Sequence, residues 1–264
     1  MSATPAPLVV VAPLPRRVLA HVFFRSLFLQ ASWNRRGMQN LGFGYAIEPA
    51  LRALYPDPEQ RELALRRHLG FFNCHPYMAA AILGGAIHHE ERVAAGLEPA
   101  GGPQEYKQTL QGPLAAIGDG FFWTALRPFF GALGAVGVLA VGLPAVVAMV
   151  LVYNVVHVTL RVALFRAGYQ RGDALVPLLA RLSLPVVADR LRTASAALAG
   201  VAAGMLMFRG TAAAGPVAGV VAALLAVVAY AALAKGARLL PTLYLSAAAG
   251  AGAAVLVARL QGSR

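Results

Sequence analysis

The sequence predicts an all-α integral membrane protein. It reads as interfacial, amphipathic N-terminal helices, broken or re-entrant helices in the middle and about three C-terminal transmembrane helices. Three observations carry this. The 264-residue chain is 58% hydrophobic and only 13% charged, against ~25% charged in an ordinary soluble domain. Residues 128–160 form a run of 33 positions without a charge, longer than the ~20 apolar residues one span needs. Thr193–Phe208, Gly210–Ala234 and Leu239–Ala258 are further charge-free runs rich in Ala, Gly and Val, residues that let helices approach closely in lipid.

Charge and cysteine usage narrow the class. The net charge of +12 comes mainly from Arg, which in a membrane protein marks cytoplasmic loops and contact with anionic lipid. No run joins basic residues to stacking aromatics, so nucleic acid is not an expected partner. The single cysteine, Cys74, excludes an intrachain disulfide.

In chain order, residues 1–15 read as a disordered cytoplasmic tail and 16–264 as a single membrane domain. Within it, 16–127 is the amphipathic and broken-helix region and 128–264 holds the transmembrane helices. Arg16 and Arg17 follow the apolar start where a secretory signal would have its basic residues before it. Arg16–Gln30 is too short to cross ~30 Å of hydrocarbon at ~1.5 Å per residue. Its arginines suit an interfacial helix. Gln30–Tyr45 then sets the amides of Gln30, Asn34, Gln39 and Asn40 among Trp33, Phe43 and Tyr45. Amides match sugar hydroxyls, and a ring takes a pyranose face. A polar interface loop with its Trp and Tyr belt is the alternative. Asp57-Pro58-Glu59-Gln60 opens a helix, with Asp57 as N-cap and Pro58 at the first position. Leu65, Leu69 and Phe72 share one face, and Arg61, Arg66 and Arg67 give it a surface character.

Between His68 and His88 there is no fixed charge, and Phe71–Tyr77 interrupts the run at Pro76. A broken helix with a polar bend is how membrane proteins aim backbone groups at a site, and Asn73 and His75 line this bend. An ordinary proline kink with Asn73 bonded to freed carbonyls is the other reading. His88-His89-Glu90-Glu91 lacks a metal-ligating spacing and reads as a solvated helix end. Gly112–Pro128 (GPLAAIGDGFFWTALRP) holds one acid, Asp119, on a glycine-flexed turn before the long apolar tract. A carboxylate at membrane depth points to function; a helix cap is the alternative. Gly142-Leu143-Pro144 sits mid-tract, predicting two half-length helices in a re-entrant hairpin. Basic residues are dense before 127 and across 161–192. The hairpin, or a second crossing near 108–126, keeps both groups inside, and three later crossings leave the C-terminus outside.

Four segments in this order resemble the mannose/fructose/sorbose-type phosphotransferase membrane subunit IID. They are Gln30–Gly44 (QASWNRRGMQNLGFG), Leu65–Pro76 (LRRHLGFFNCHP), the Ile82–Glu91 region and Gly112–Pro128. With Leu54-Tyr55-Pro56 they cover roughly residues 20–170. The resemblance implies a subunit of the bacterial cytoplasmic (inner) membrane that works with a homologous IIC subunit. The two form the hexose pathway and assemble as a trimer of such pairs. Phosphoryl groups travel on cytoplasmic IIA and IIB, so no histidine here is a carrier, and no metal or nucleotide cofactor is implied. Trp33, Asn34, Gln39, Asn73, His75 and Asp119 are then the expected sugar-binding residues. Two other classes stay open. One is a homologue kept as a regulator or scaffold without transport. The other is a membrane-embedded enzyme using His75 and Asp119 as acid and base, which requires them within ~3 Å or one water.

Overall fold

The computed structural model describes residues 13–262. The expected tail therefore lies mostly outside the described residues. Its last part does not hang free: Leu14 is buried, and its amide donates to Glu91 Oε1 at 2.9 Å and to the Tyr169 hydroxyl at 3.1 Å.

The described chain is helical. The elements are α1 (Arg16–Ser26), α2 (Asn40–Leu54), α3 (Pro58–His68), α4 (Ala79–Ala94), α5 (Gly102–Gly118), a π-helical segment (Asp119–Leu126), α6 (Arg127–Val141), α7 (Pro144–Arg171), α8 (Leu175–Arg181), α9 (Leu184–Ala214), α10 (Pro216–Ala234) and α11 (Leu239–Gly262). Among the described residues four stretches are long and apolar enough to cross a membrane: Gly102–Val141, Pro144–Arg181, Leu184–Gly210 and Pro216–Ala234. The chain divides into two compact units. One combines the chain up to Phe130 with Val147–Ala194, and the other combines Gly131–Val146 with the chain from Ser195 onward.

In the first unit, α1 lies on α2, burying Val22 and pairing Arg25 with Glu48 at 2.8 Å. α3 starts as its sequence requires: Asp57 accepts from the Gln60 amide at 2.9 Å, and Pro58 needs no acceptor. Leu65 and Leu69 then cover Gly44 of α2. Arg67 departs from the surface reading. It turns inward to Glu90. α4 packs on α7 through facing glycines. A Cβ at Gly84 would stand 2.2 Å from the Phe165 carbonyl oxygen, and one at Gly168 would stand 2.0 Å from that of Ala81. Small residues permit such an approach, and nothing larger fits.

In the second unit the break falls where expected: Gly142 adopts φ 80°, a left-handed conformation open to glycine at no steric cost. The arms differ from the half-length expectation. One stretch is helical over Gly102–Val141 (40 residues) and the other starts at Pro144 and runs 28 residues as α7. Each is long enough for a full crossing. Helix α9 runs to Ala214, and the Arg209 guanidinium donates to the Leu139 carbonyl.

The glycine contact between α4 and α7 predicts a specific sensitivity. Gly168→Ala should lower the thermal stability of the detergent-solubilised protein by about 1–3 kcal/mol, because its new methyl meets a backbone carbonyl. Gly200→Ala, with open space around it, should leave stability unchanged or slightly raised.

Candidate functional site

Two loops and one distorted helix converge in the first unit. The loop 27–39 folds back at Met38, whose φ of 56° lies in the left-handed region. Backbone bonds hold it there. Asn34 and Met38 exchange bonds of 3.1 and 2.9 Å, the Phe72 amide donates to the Gly37 carbonyl at 3.2 Å, and the Gln39 amide donates to the Phe72 carbonyl at 2.8 Å. Side-chain amides reinforce the clasp. Gln39 is buried, donating to the Cys74 carbonyl at 2.9 Å and accepting from the Cys74 amide at 3.0 Å. Asn34 Oδ1 accepts from the Gly37 amide at 2.8 Å, and its Nδ2 donates to Asn40 at 2.9 Å. Asn40 in turn reaches the Leu69 carbonyl at 2.6 Å.

The second loop carries Asn73 and His75 against the π-helical segment. The Asn73 amide donates to Gln111 Oε1 at 3.1 Å, and its side chain is exposed. His75 is 2% exposed and stacks on Phe122 at 4.8 Å, with Trp123 and Tyr77 edge-on. Its Nδ1 accepts from the Tyr77 amide at 3.3 Å, so the neutral ring carries its proton on Nε2. Among the described residues that Nε2 is buried without a partner. Burial, aided by the charges of Arg127 and Arg161, pushes the imidazole down to about 4, so His75 is neutral at pH 7. Burial likewise pushes the Cys74 thiol up to about 12, making it an inert thiol.

Asp119 does not sit on a turn, as Gly112–Pro128 suggested. Helix runs through the whole stretch, and from Asp119 to Leu126 it widens to π geometry. Pro128 supplies the reason: it lacks an N–H, and in an α register its ring meets the Thr124 carbonyl. A wider turn gives way instead, and the Arg127 amide donates five residues back, to Phe122. Arg192 braces the widened turn, donating to the Gly120 carbonyl at 3.1 Å and to the Thr124 hydroxyl at 3.0 Å. The Asp119 side chain caps no helix and stands exposed. Among the described residues no hydrogen bond joins it to His75, which leaves the acid–base pair unformed. Trp33 is 53% exposed.

A charge cluster that the sequence reading missed roots the second loop. Glu90, read as part of a solvated helix end, is 0% exposed, and His89 and Glu91 are also buried. Arg67 grips Glu90 through Nε at 2.7 Å and Nη2 at 2.5 Å. The Tyr55 hydroxyl and His68 Nε2 add bonds of 2.7 Å each. Lys107, also buried, donates to the His68 carbonyl at 2.9 Å and lies 4.9 Å from the centre of the Phe43 ring. Burial alone would raise the Glu90 carboxyl. The bonds from Arg67 and His68 outweigh it and hold the group at about 2. Burial lowers His68, so it donates as a neutral ring. The signal available in the sequence was the spacing of Arg67-His68 from Glu90, which only tertiary packing closes. Among the described residues, no cluster of His, Cys, Asp and Glu has the geometry to hold a metal ion.

Residues 13–213 match the description "PTS system mannose/fructose/sorbose family IID component". The chain belongs to this family. Among similar proteins, the mannose-specific EIID component of Escherichia coli (strain K12) is 42% identical over 157 residues, 59% of this chain and 56% of that one. The fructose permease IID component of Bacillus subtilis (strain 168) is 32% identical over 160 residues, 60% of this chain and 58% of the relative. The match thus spans little more than half the length of either relative. The solved mannose transporter ManYZ, in complex with microcin E492, superposes with a TM-score of 0.58 at 36% identity, covering 72% of this chain and 70% of that chain. A second solved structure, titled "Structure of membrane protein", gives a TM-score of 0.65 at 36% identity, over 73% and 71% of the two chains. The all-helical membrane architecture expected for a IID component is therefore established.

The charge cluster makes stability pH-dependent. The Glu90 carboxyl is held at about 2 against an ordinary 4.5. Its stabilisation is present above pH 4.5 and lost as pH falls toward 2. Melting temperature should drop through that window, and Glu90→Gln should flatten the drop. The variant should also lose about 3–5 kcal/mol at neutral pH, because Arg67 keeps a buried charge without its partner.

Proposed function

We propose that this IID component forms, with a IIC subunit, the path by which a hexose enters across the bacterial cytoplasmic membrane. Cytoplasmic IIB phosphorylates the sugar as it arrives and is recharged by IIA. The anionic product then stays inside. The N-terminus faces the cytoplasm and the C-terminus the outside, and the IIC–IID pairs associate as trimers. Family membership and the mannose- and fructose-specific names of the relatives support this reading.

One observation on this chain carries it further. A spare imidazole N–H, on His75, and an uncommitted carboxylate, on Asp119, flank the same widened helical turn. A donor and an acceptor there suit sugar hydroxyls, which play both roles. In this proposal Asp119, His75, Asn73 and Trp33 border the sugar path. Asn34 and Gln39 serve by holding the two loops, since their amides are already bonded to the chain. The π-helical segment is the element that shifts register as access alternates. Phosphoryl chemistry stays on the partner subunits, and this chain supplies no nucleophile, metal or nucleotide.

Sugar uptake in cells carrying the cognate IIC, IIB and IIA tests this directly. Asp119→Asn and His75→Phe should each lower uptake by at least about tenfold, the loss of one hydrogen bond to a charged or buried group. Membrane abundance should not change. Wild-type uptake in both variants would reject the roles proposed for Asp119 and His75, and uptake unchanged when this chain is absent would favour a regulator or scaffold without transport. Gln39→Leu should act differently, lowering abundance and thermal stability along with uptake, because it strips both Cys74 backbone groups of their partner.

A further inference from the structure

A groove of about 610 Å³ runs between α1 and the C-terminal half of α7, outside the loops described above. The two helices run in opposite directions along it. Leu14 meets Tyr169 near one end, and Phe23 packs on Phe165 at 5.7 Å toward the other. The walls are apolar, formed by Leu19, Phe23, Phe24, Val162 and Phe165. Arg16 and Arg166 line the same groove. Both are exposed, and among the described residues neither has a carboxylate within ion-pair distance. Glu91 is not part of the lining, and its Oε1 accepts from the Leu14 amide and the Tyr169 hydroxyl.

We propose that this groove holds an anionic phospholipid, with its phosphate on Arg16 and Arg166 and an acyl chain along Phe23, Phe24 and Val162. Charge complementarity favours this occupant over a zwitterionic lipid. Guanidinium groups match phosphate oxygens in geometry as well as sign. Two guanidinium groups beside hydrocarbon walls are the combination that a single anionic amphiphile complements. A partner helix would have to bury two arginines or bring its own acids. Position agrees as well: α1 is short and amphipathic, and such helices lie at the headgroup boundary. A lipid held there would fill the joint between α1 and a membrane-crossing helix. This inference concerns the membrane, not sugar, and stands apart from the transport reading.

The test uses the full-length chain in mild detergent, with native mass spectrometry counting retained lipid. Wild type should retain dioleoylphosphatidylglycerol at least about tenfold over dioleoylphosphatidylcholine. The double variant Arg16→Gln, Arg166→Gln should lose roughly thirtyfold of that retention. Arg17→Gln, next to the site but outside the lining, should keep it. Equal retention of the two lipids, an unaffected double variant or an equal loss in Arg17→Gln would each overturn the proposal. A phosphatidylglycerol with a photoactivatable acyl chain gives a readout on wild type alone. Labelling confined to residues 19–24 and 162–166 supports the site, and labelling elsewhere refutes it. If deletion of residues 2–12 is needed before any lipid enters, the occupant is the chain's own N-terminal segment and the proposal fails.

Discussion

The burial of one carboxylate organises the loop-bearing unit. An ionised Glu90 with no water around it would be unfavourable by several kcal/mol unless its lone pairs were filled. The chain fills them with donors from three places: the Tyr55 hydroxyl after α2, the Arg67 guanidinium at the end of α3 and the His68 ring beside it. Each donor sits at the end of an element, so satisfying one acid fixes how α2, α3 and α4 meet. Lys107 adds α5 to the same knot through the His68 carbonyl and the Phe43 ring. The segment that carries Asn73 and His75 leaves directly from this knot and returns into α4. It has little freedom left.

The neutral state of His68 is part of that arrangement. With Nε2 donating to Glu90, its Nδ1 is buried and has no partner. A buried lone pair without a donor is less costly than a buried imidazolium beside Arg67 and Lys107. The same reasoning fixes His75 in the opposite sense. There the Tyr77 amide occupies Nδ1, and the unpartnered atom is a donor. An orphaned N–H is the rarer and more demanding of the two.

Much of the fold was legible because it rests on short-range rules. Asp57 and Pro58 announce α3, Gly142 and Pro144 announce a break, and long charge-free runs announce crossings. The misreadings have a common cause. Arg67, Glu90 and Glu91 look like surface residues to any local rule, and only packing between elements reveals them as partners. Gly112–Pro128 looks like a turn because glycine and proline usually mark one. In this chain lipid-length helices surround the stretch, and continuous backbone bonding outweighs local preference. Pro128 then acts by widening the helix rather than ending it. The sequence named candidate residues but not which of them the chain itself ties down. Amide-rich Gln30–Tyr45 suggested direct sugar contacts, whereas the amides of Asn34 and Gln39 are bonded to the chain itself.

That division of labour bears on how such a site could recognise a sugar at all. Asparagine and glutamine are the obvious partners for hydroxyls, yet a flexible amide loses entropy when it binds. Two amides spent on backbone bonds shift that loss from ligand binding to folding. They hold Met38 in a left-handed conformation and Cys74 against Gln39, so the neighbouring groups are already in place. What remains uncommitted is small and chemically sharp: a neutral N–H wedged between rings and a carboxylate on a widened turn. Neither alone distinguishes a hexose from water, since water donates and accepts equally well. In the proposed reading selectivity comes from their fixed separation together with an aromatic wall, and the rigidity imposed around Glu90 is then as much a part of recognition as the groups that would touch the ligand.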